Sequence, residues 1–515
     1  MNVGSLLHYW ARRTPEKLAV VCGAHRLSFR EYSQRVDRVA QMLLALGLRR
    51  GDKLAIALPN CIELLELYRA AAHQGIVLVP LSTLLRGPAL ASLLRDADAA
   101  AVVASSALVE ALDVARRELP AIPGDRYLLV DREYLPGYRS YAALVAAAPA
   151  TVPEGADLGD DDLFNIIYSS GTTGDPKGIM HTHYVRAMYC TLFANAYRMT
   201  QESVVMHAGS LVFNGAFVLY MPTWLLGCTF VLQERFEPVG YLDAIAREQV
   251  THVMTVPSQV VALLEASNFS GETLRSLEAF STVGAPLHRQ HKDRMLAVLP
   301  DAMYELYGLT EGFITILDRS DYATRIDSVG TPTLFNEMRI LDDAGQEVAT
   351  GVVGEIVGRA PFLMPGYYQR PDLTATAMQG GWLHTGDLGY VDEDGFLYLV
   401  DRKKDLIISG GVNVYPRDIE EVVVTHPSVR EAAVFGIPDD KWGEVPMVAV
   451  VLREQHTAEP ADLREWINAR VQARYQRVCN VLILVDMPRS TAGKTLKRVL
   501  REQYLDQSGP LVPGH

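Results

Sequence analysis

The sequence predicts an α/β protein with a large N-terminal domain of covered sheets, a β-rich subdomain and a small α+β C-terminal domain. The chain has 515 residues, more than the roughly 250–300 that one hydrophobic core usually supports, so we expect at least two folding units. Hydrophobic residues make up 49% and charged residues 21% of the chain, which excludes a disordered protein. Helical and strand patterns alternate over residues 1–160, as in sheets that are covered by helices.

Local signals mark individual elements of these domains. Leu18–Cys22 is an apolar run that suits a strand, and Ser28 with Glu31 matches the capping box of an amphipathic helix. The proline of Thr14-Pro15-Glu16 predicts a helix start. Residues 351–400 are typical of a β-rich subdomain. The C-terminal α+β unit is predicted from helix 417–425, strands 432–437 and 447–452, and helix 461–473.

Charge and cysteine content restrict the partners and the location of the protein. Its 48 basic and 61 acidic residues give a net charge of −13, so no general basic surface favours nucleic acid or an anionic membrane. The five cysteines lie far apart and lack Cys-x-x-Cys spacing, which is typical of reduced thiols. The first residues lack a basic leader, and no apolar run reaches membrane length. We therefore expect a soluble, cytoplasmic enzyme that binds neither nucleic acid nor a membrane.

Residues 168–178 form the first motif with chemical meaning. The stretch reads Tyr-Ser-Ser-Gly-Thr-Thr-Gly-Asp-Pro-Lys-Gly, and its hydroxyls, glycines and the ammonium of Lys177 can surround a polyphosphate. A Walker loop is excluded because Pro176 stands where that motif has glycine directly before the lysine. A second Gly-Lys-Thr triplet, at 493–495, fails the same test because of Pro488. An ordinary surface turn is the competing interpretation.

The stretch resembles the phosphate loop of the adenylate-forming enzymes, which include acyl- and aryl-CoA synthetases, firefly luciferase and the adenylation domains of peptide synthetases. Further motifs follow in the order of that family over nearly the whole chain. The resemblance implies an N-terminal adenylation domain of residues 1–400 and a mobile C-terminal domain of residues 401–515, with the hinge near Asp401. It also implies that the loop binds ATP through Ser169, Ser170, Gly171, Thr172, Thr173, Gly174 and Lys177.

A second motif, at residues 304–312, supplies further groups for the nucleotide. It reads Tyr-Glu-Leu-Tyr-Gly-Leu-Thr-Glu-Gly. Tyr307 can stack on adenine, Thr310 can hydrogen-bond the α-phosphate, and Glu311 can hold Mg²⁺, which prefers hard oxygen ligands. The resemblance makes Thr310 and Glu311 catalytic. The other nucleotide contacts that it implies are Gly284, Ala285, Pro286, Gly308, Asp387 and Arg402.

The C-terminal part carries the residues that the resemblance assigns to catalysis and to the second substrate. Residues 488–495 match the family's C-terminal lysine loop, with Lys494 in the catalytic place. Gly410 and Gly411 allow a ligand to approach the backbone closely. By resemblance, these two glycines line the channel for the attacking thiol.

The resemblance also places the pocket for the acid. A histidine commonly stands in this family where the chain has Asn214. One interpretation is that the buried amide favours an acid with a polar group, because an unpaired buried amide is costly. The other is that Asn214 caps a helix that begins at Gly215. The residues assigned to the acid are Asn214, Gly215, Val218, Ser281 and Phe313.

The resemblance implies that a carboxylate attacks the α-phosphate of MgATP to give an acyl-adenylate and pyrophosphate, and that the acyl group then passes to CoA. The cofactors are ATP and Mg²⁺, with CoA as the second substrate. The alternative is a stand-alone adenylating enzyme that loads a carrier protein or another nucleophile, and a remote alternative is a nonenzymatic nucleotide-binding protein. The sequence does not identify the acid, and a homodimer stays open.

We predict that Lys494→Ala removes acyl-adenylate formation and leaves folding intact, because the resemblance places this ammonium against the charge that develops during adenylation. The measurement is pyrophosphate release from ATP, with circular dichroism as the check on folding. Normal pyrophosphate release from the variant would reject the assignment of Lys494.

Overall fold

The structure is a computed structural model that describes residues 2–85, 87–169, 177–439, 441–489 and 495–508. The chain divides into two units. The first comprises Met1–Glu337 and Gly358–Leu383, and the second comprises Met338–Val357 and His384–His515. Residues 338–357 and 384–400 therefore group with the C-terminal unit, and a hinge near Asp401 stays a prediction.

The strands are, in chain order, β1 (Leu18–Cys22), β2 (His25–Ser28), β3 (Lys53–Ala57), β4 (Val77–Pro80), β5 (Ala99–Ala104), β6 (Tyr127–Leu129), β7 (Arg139–Ser140), β8 (Leu163–Ser169), β9 (Lys177–Thr182), β10 (Val204–His207), β11 (Thr229–Leu232), β12 (His252–Thr255), β13 (Ala279–Val283), β14 (Met303–Gly308), β15 (Ile314–Leu317), β16 (Thr331–Pro332), β17 (Glu337–Leu341), β18 (Gly354–Arg359), β19 (Met378–Gln379), β20 (Trp382–Val391), β21 (Leu397–Arg402), β22 (Ile407–Ser409), β23 (Val412–Val414), β24 (Val429–Asp439), β25 (Gly443–Leu452) and β26 (Val481–Leu484).

The helices are α1 (Leu6–Arg13), α2 (Phe29–Ala45), α3 (Ile62–Gln74), α4 (Gly87–Asp96), α5 (Val109–Glu118), α6 (Tyr141–Ala147), α7 (His183–Ala196), α8 (Asn214–Leu226), α9 (Pro238–Glu248), α10 (Pro257–Leu264), α11 (Gly271–Leu274), α12 (Arg289–Leu296), α13 (Pro371–Ala377), α14 (Pro416–Val423), α15 (Pro460–Asn468) and α16 (Lys497–Ser508).

Two large sheets form the first unit. The nine-stranded sheet has the order β16-β15-β14-β13-β12-β10-β11-β1-β2, and the seven-stranded sheet has the order β7-β6-β5-β3-β4-β8-β9. Strands β13 and β14 are parallel neighbours, with Val283 opposite Leu306. The carboxyl ends of parallel strands meet at one edge of a sheet, which is where ligands bind in open α/β sheets. The segments that follow β13 and end β14 therefore share one edge.

Helices α7 and α8 lie in the core that joins the two sheets. One buried cluster contains Phe164 of β8, Phe193 of α7, Phe217 of α8 and Phe230 of β11. Helix α8 is apolar on nearly all sides, as expected of a helix that is surrounded by protein. Both helices begin close to strands that carry predicted site residues, so the core fixes the positions of these helix starts.

The second unit contains a β-rich part and an α+β part. In the first of these, β17, β18 and β20 are neighbours in a five-stranded sheet, and both β19 and β21 pair with β20. In the second, β23, β22, β25 and β24 are hydrogen-bonded in sequence, and β26 pairs with β25 in parallel. Helices α14 and α15 cover this sheet over a core that includes Ile419, Val448 and Ile467. Both parts match the organisation predicted for residues 351–400 and for the C-terminal α+β unit.

Most local signals are confirmed, but one helix start is wrong and the helix predicted over 461–473 already ends at Asn468. The capping box of α2 is confirmed, because Glu31 N donates to Ser28 Oγ (3.3 Å) and Ser28 N donates to Glu31 Oε2 (2.8 Å). The helix start predicted at Thr14-Pro15-Glu16 is wrong. Helix α1 ends there instead, and Thr14 N donates to Trp10 O (2.8 Å) as its last hydrogen bond. A proline after a helix marks its end as readily as a proline at the first position marks a start.

Buried histidines are a further property of the first unit. His181, His183 and His252 are completely buried, and burial lowers the pKa of each of them. The two ring nitrogens of His183 have no hydrogen-bond partner among the described residues. The pKa of His183 falls to about 4, so the ring is neutral at neutral pH and its protonation opposes folding.

We predict that His183→Leu makes the stability of the fold less sensitive to acid. The folded-state pKa of about 4 lies below the unfolded value of about 6.5, so the unfolded chain gains the proton first and the free energy of unfolding falls as the pH falls between these values. For His183 this loss is about 2 kcal/mol between pH 7 and pH 5. The measurement is the urea midpoint of wild type and variant at both pH values.

The exposed His25 supplies the control, because His25→Asn removes a histidine without removing a buried one. This control should retain the wild-type pH dependence. Equal pH dependence in His183→Leu and wild type would contradict the prediction.

Candidate active site

Strand pairing holds together the two ends of the predicted phosphate loop. β8 and β9 are antiparallel, with Tyr168 opposite Gly178 and Ser169 opposite Lys177. The Tyr168 hydroxyl donates to Asp96 Oδ2 (2.5 Å) and ties the end of β8 to the end of α4. The remaining predicted loop contacts, and the predicted catalytic lysine, lie outside the described residues; they are Ser170, Gly171, Thr172, Thr173, Gly174 and Lys494.

Thr310 and Glu311 lie in a tight turn between β14 and β15. Gly312 N donates to Leu309 O (3.1 Å), and Met364 N donates to Glu311 O (2.7 Å). Gly312 has φ +122°, and a Cβ at this residue would lie 2.3 Å from Phe362 O. Only glycine fits this position, because its backbone conformation and the close contact both exclude a side chain. The turn is therefore packed directly against the backbone of residues 362–364.

His181, near the end of β9, fixes the same turn from another side. Its Nε2 lies 2.8 Å from Thr310 O. A carbonyl oxygen only accepts, so Nε2 carries the hydrogen and donates it. Burial, and the positive charge of Arg186, lower the pKa of His181 well below its usual value. His181 is thus a neutral donor that holds the backbone of Thr310.

Tyr367 links the predicted metal ligand Glu311 to Lys177. Its hydroxyl donates to Glu311 Oε1 (2.8 Å), and the Lys177 ammonium lies 5.0 Å from the centroid of its ring. Tyr367 also forms an antiparallel bridge with Ile179 of β9. Burial, with a contribution from the Glu311 carboxylate, raises the pKa of Tyr367, so the hydroxyl remains a donor. The structure therefore brings Lys177, Tyr367 and Glu311 together.

The predicted adenine contacts lie at the shared edge of β13 and β14. Gly284, Ala285 and Pro286 are exposed and follow β13 directly. Tyr307 and Gly308 end β14, and the Tyr307 ring is half-buried against Phe313, 6.4 Å away between centroids. Gly284 has φ +96°, which favours glycine. An exposed backbone segment and a half-buried aromatic ring therefore lie at this edge, and their contact with adenine stays a prediction.

The residues assigned to the acid are more deeply buried than the nucleotide contacts. Val218, Ser281 and Phe313 are at most 2% exposed. Ser281 Oγ is hydrogen-bonded to the Tyr197 hydroxyl (3.0 Å). A Cβ at Gly215 would lie 3.7 Å from Val283 Cγ1, so the start of α8 faces the end of β13. The structure thus brings Gly215 to the nucleotide edge, and the acid-binding role of all five residues stays a prediction.

Asn214 is the first residue of α8, and the helix-capping interpretation of it is wrong. The residue at the cap position is Phe213, and no side chain caps the helix. Instead, Asn214 Oδ1 accepts a hydrogen bond from Arg186 Nη1 (2.9 Å), and Asn214 Nδ2 donates to the Tyr189 hydroxyl (2.9 Å). Two protein partners therefore hold the amide, and it is 7% exposed. The sequence signals neither partner, because α7 contributes both of them from 25 and 28 residues upstream.

In the second unit, two of the predicted nucleotide contacts are neighbours. Asp387 of β20 lies opposite Arg402 of β21, and Arg402 Nε is 3.6 Å from Asp387 Oδ1. Asp401 accepts hydrogen bonds from Arg402 N (2.7 Å) and Arg417 N (3.1 Å). Burial raises the pKa of Asp401, and the charge of Lys497 opposes this rise. The predicted hinge residue is thus held at the start of α14.

The two glycines assigned to the thiol channel form the turn between β22 and β23. Gly410 has φ +58° and Gly411 has φ +80°. Gly410 N donates to Trp442 O (2.7 Å), and a Cβ at Gly410 would lie 2.8 Å from Trp442 Cε3. Glycine is required here both by the backbone conformation and by the indole ring.

Sequence reasoning missed Arg186, Tyr189, His181 and Tyr367 as functional residues. Their roles depend on contacts between segments far apart in the chain, and three of the four lie on the continuous β9–α7 stretch. The signal that could have found them is the polar content of that stretch, since Lys177, His181 and Arg186 interrupt residues that otherwise suit a buried strand and helix.

Within the described ranges, no group of three or more histidine, cysteine, aspartate and glutamate side chains has the arrangement of a metal site. No helix in the part of the chain that the structure describes is long and apolar enough to cross a membrane.

Known proteins share this architecture over nearly their full length. Feruloyl-CoA synthase from Amycolatopsis sp. is 34% identical over 507 residues, which cover 96% of this chain and 97% of that protein. The structure of ATP-bound MatB from Rhodopseudomonas palustris has a TM-score of 0.88 at 30% identity and covers 99% of this chain and 100% of its own. The o-succinylbenzoate CoA synthetase of Bacillus subtilis, in complex with its acyl-adenylate intermediate, has a TM-score of 0.85 at 30% identity, covering 96% and 98%.

Two family models match the chain. The model of the AMP-binding enzyme matches residues 7–368, which include the Thr310–Glu311 turn, and the model of the AMP-binding enzyme C-terminal domain matches residues 418–494. The chain therefore belongs to the AMP-binding enzyme family of adenylate-forming enzymes.

Proposed function

We propose that this protein is an AMP-forming acid–thiol ligase, which activates a carboxylic acid with ATP and transfers the acyl group to CoA. The observation that carries this proposal is the Thr310–Glu311 turn, which His181 and Tyr367 hold beside Lys177. A threonine hydroxyl, a carboxylate that can hold a metal and a lysine ammonium are groups that can bind a nucleotide phosphate, which supports this proposal in a member of the AMP-binding enzyme family. The feruloyl-CoA and o-succinylbenzoate-CoA enzymes among its relatives favour CoA as the acceptor.

In the first step, a carboxylate oxygen attacks the α-phosphorus of ATP, the bond from this phosphorus to the bridging oxygen breaks, and pyrophosphate leaves. Two anions must approach each other for this attack, so catalysis depends on positioning and on fixed positive charge. Lys177 and Lys494 supply that charge, and Thr310 binds the α-phosphate. Tyr307 and the Gly284–Pro286 segment hold adenine, and Asp387 with Arg402 binds ribose.

Mg²⁺ is the metal that suits a site with the single carboxylate of Glu311. Mg²⁺ usually takes one or two protein carboxylates and completes its coordination with water and phosphate oxygens. The Glu311 carboxylate, oriented by Tyr367 through Oε1, satisfies that requirement without a larger cluster of ligands. When bound, Mg²⁺ neutralises phosphate charge.

In the second step, the sulfur of CoA attacks the acyl carbon, the bond to the AMP oxygen breaks, and the thiol proton is released. Gly410 and Gly411 leave room for the pantetheine arm, because neither residue has a side chain to obstruct it. The C-terminal domain turns about Asp401 between the steps, which withdraws Lys494 from the adenylate.

We place the enzyme in the cytoplasm. Its five cysteines are free, and three of them are buried. Burial raises the pKa of Cys190 to about 12, so the thiol is unreactive at neutral pH. Free thiols are typical of a reducing compartment, which also contains ATP and CoA.

The proposed function is tested by mass spectrometry of the products formed from MgATP and a panel of acids, with and without CoA. The panel contains ferulate, 2-succinylbenzoate, fatty acids and amino acids. We expect an acyl-CoA when CoA is present and an acyl-adenylate when it is absent. An acyl-adenylate that persists in the presence of CoA would contradict CoA as the acceptor and would indicate a carrier protein or another nucleophile.

We predict that Tyr367→Phe lowers kcat/KM for MgATP, because the variant loses the hydrogen bond to Glu311. Loss of a hydrogen bond to a charged group costs about 1.5–3 kcal/mol, so kcat/KM for MgATP should fall roughly tenfold to a hundredfold. Glu311→Gln should have a larger effect, because it removes the charge that holds the metal. The measurement is initial-rate pyrophosphate release at increasing MgATP, repeated at several concentrations of free Mg²⁺.

The neighbouring Tyr368 provides a matched control. Its hydroxyl donates to Asp98 Oδ2 (2.9 Å), so Tyr368→Phe removes an equivalent hydrogen bond that does not involve Glu311. We expect wild-type kinetics from this control. Equal losses in Tyr367→Phe and Tyr368→Phe would show that the effect is a general loss of structure and would contradict the role of Tyr367.

A further inference from the structure

Arg186 is a completely buried cation in the core of the first unit. No carboxylate among the described residues forms an ion pair with it. Its hydrogen bonds go to two amide oxygens, with Nη1 donating to Asn214 Oδ1 (2.9 Å) and Nη2 to Asn165 Oδ1 (3.0 Å). Its guanidinium carbon also lies 4.3 Å from the ring centroid of Phe217 and 4.8 Å from that of Tyr189. Burial lowers the pKa of Arg186 to about 10, so the group remains charged at neutral pH.

Burying a charge without a counter-ion lowers the stability of a fold. Such a charge is therefore a candidate for a role in binding. Hydrogen bonds to neutral amides and contacts with aromatic faces stabilise the cation, but they leave a net positive charge in this part of the core. That charge favours an anionic ligand nearby. The question is which ligand can come near enough.

The position of Asn214 answers this question. Its partner Tyr189 has its ring 6.5 Å from the ring of His181, which donates to Thr310 O. The next residue of α8, Gly215, faces Val283 at the end of β13. Asn214 therefore lies between the buried cation and the edge where Thr310 and Gly284 are found. Asn214 is also one of the residues that the resemblance assigns to the acid, so the anion that we expect beside it is the carboxylate of the acid.

Arg186 also decides which end of the Asn214 amide faces its partners. A guanidinium only donates hydrogen bonds, so the amide must turn its oxygen towards Arg186. Its nitrogen then faces Tyr189, where one N–H is used. An amide nitrogen carries two hydrogens, so the second N–H is available as a donor. Without Arg186, either end of the amide could face the acid.

We propose that Arg186 is a positioning residue for the acid: through its hydrogen bond to Asn214 Oδ1, it fixes the Asn214 amide as an N–H donor to the substrate carboxylate. This inference rests on the proposed function and deepens it. The positive charge of Arg186 adds to the attraction for the same carboxylate. Both effects concern binding of the acid and not of the nucleotide. Substitution of Arg186 should therefore change KM for the acid more than KM for ATP.

Four variants separate these effects. Arg186→Gln removes the charge and the fixed orientation, because a glutamine amide can donate to Asn214 or accept from it. Arg186→Lys keeps a cation that only donates. Asn214→Asp gives Arg186 a buried counter-ion, but it removes the donor and places a negative charge beside the acid. Arg69→Gln is the matched control, because Arg69 is also buried, 3.7 Å from the centroid of Trp224, and has no contact with Asn214 among the described residues.

The measurement is pyrophosphate exchange with ATP, which gives KM for the acid and KM for ATP separately, using the acid that the product panel identifies. We expect Arg186→Gln to raise KM for the acid by about tenfold or more and to change KM for ATP by less than about twofold. Arg186→Lys should recover most of the loss, and Arg69→Gln should leave KM for the acid unchanged. Asn214→Asp should melt at or above the wild-type temperature and have the largest increase in KM for the acid.

The outcomes distinguish this inference from the proposed function. A wild-type KM for the acid in Arg186→Gln or in Asn214→Asp would overturn the inference alone, as would equal increases in KM for the acid and for ATP. If Arg186→Gln does not fold, Asn214→Asp decides, because a wild-type KM for the acid in that variant overturns the inference. A wild-type protein that releases no pyrophosphate with any acid of the panel would contradict the proposed function itself, and the inference with it.

Discussion

Two anions have to meet in this protein, the phosphate of a nucleotide and the carboxylate of an acid, in a chain whose own net charge is −13. The described part of the chain supplies positive charge at this place mainly from one continuous segment. Strand β9 begins with Lys177 and ends beside His181, and helix α7 continues with Arg186. The segment thus places one cation at the end of the predicted phosphate loop and another beside Asn214, with a neutral donor to Thr310 between them. Local charge on a fixed backbone replaces the general basic surface that the composition excludes.

Packing makes this segment rigid. Helix α7 is buried against α8 in the core that both sheets share, and β9 is paired with β8 along its length. Tyr367 joins β9 to the Thr310–Glu311 turn from outside this core, through its backbone bridge to Ile179 and its hydroxyl on Glu311. The backbone segments that carry the predicted phosphate and metal contacts are therefore fixed by packing and hydrogen bonds, which limits the reorganisation that the reaction requires.

The sequence predicts the fold class, most of the elements and the family because these depend on local patterns. The capping box of α2, the apolar run of β1 and the glycine-rich stretch at 168–178 are all visible within a few residues of chain. The sequence does not predict β9, because Lys177, His181 and Thr182 interrupt its apolar pattern and only pairing with β8 makes it a strand. The hydrogen-bond partners of Asn214 cannot be predicted from the sequence for a similar reason. A buried amide needs partners, but only the packing of α7 on α8 shows that they are Arg186 and Tyr189.

The uncompensated charge of Arg186 has a consequence for attempts to engineer this protein. An apolar side chain of similar volume at this position would remove the cost of burying a cation, and such replacements often stabilise proteins. A library selected only for resistance to heat is therefore expected to lose arginine at this position and to yield more stable proteins that bind the acid more weakly. Marginal stability at this site is then a property of the working enzyme, of the kind described as a trade-off between stability and activity.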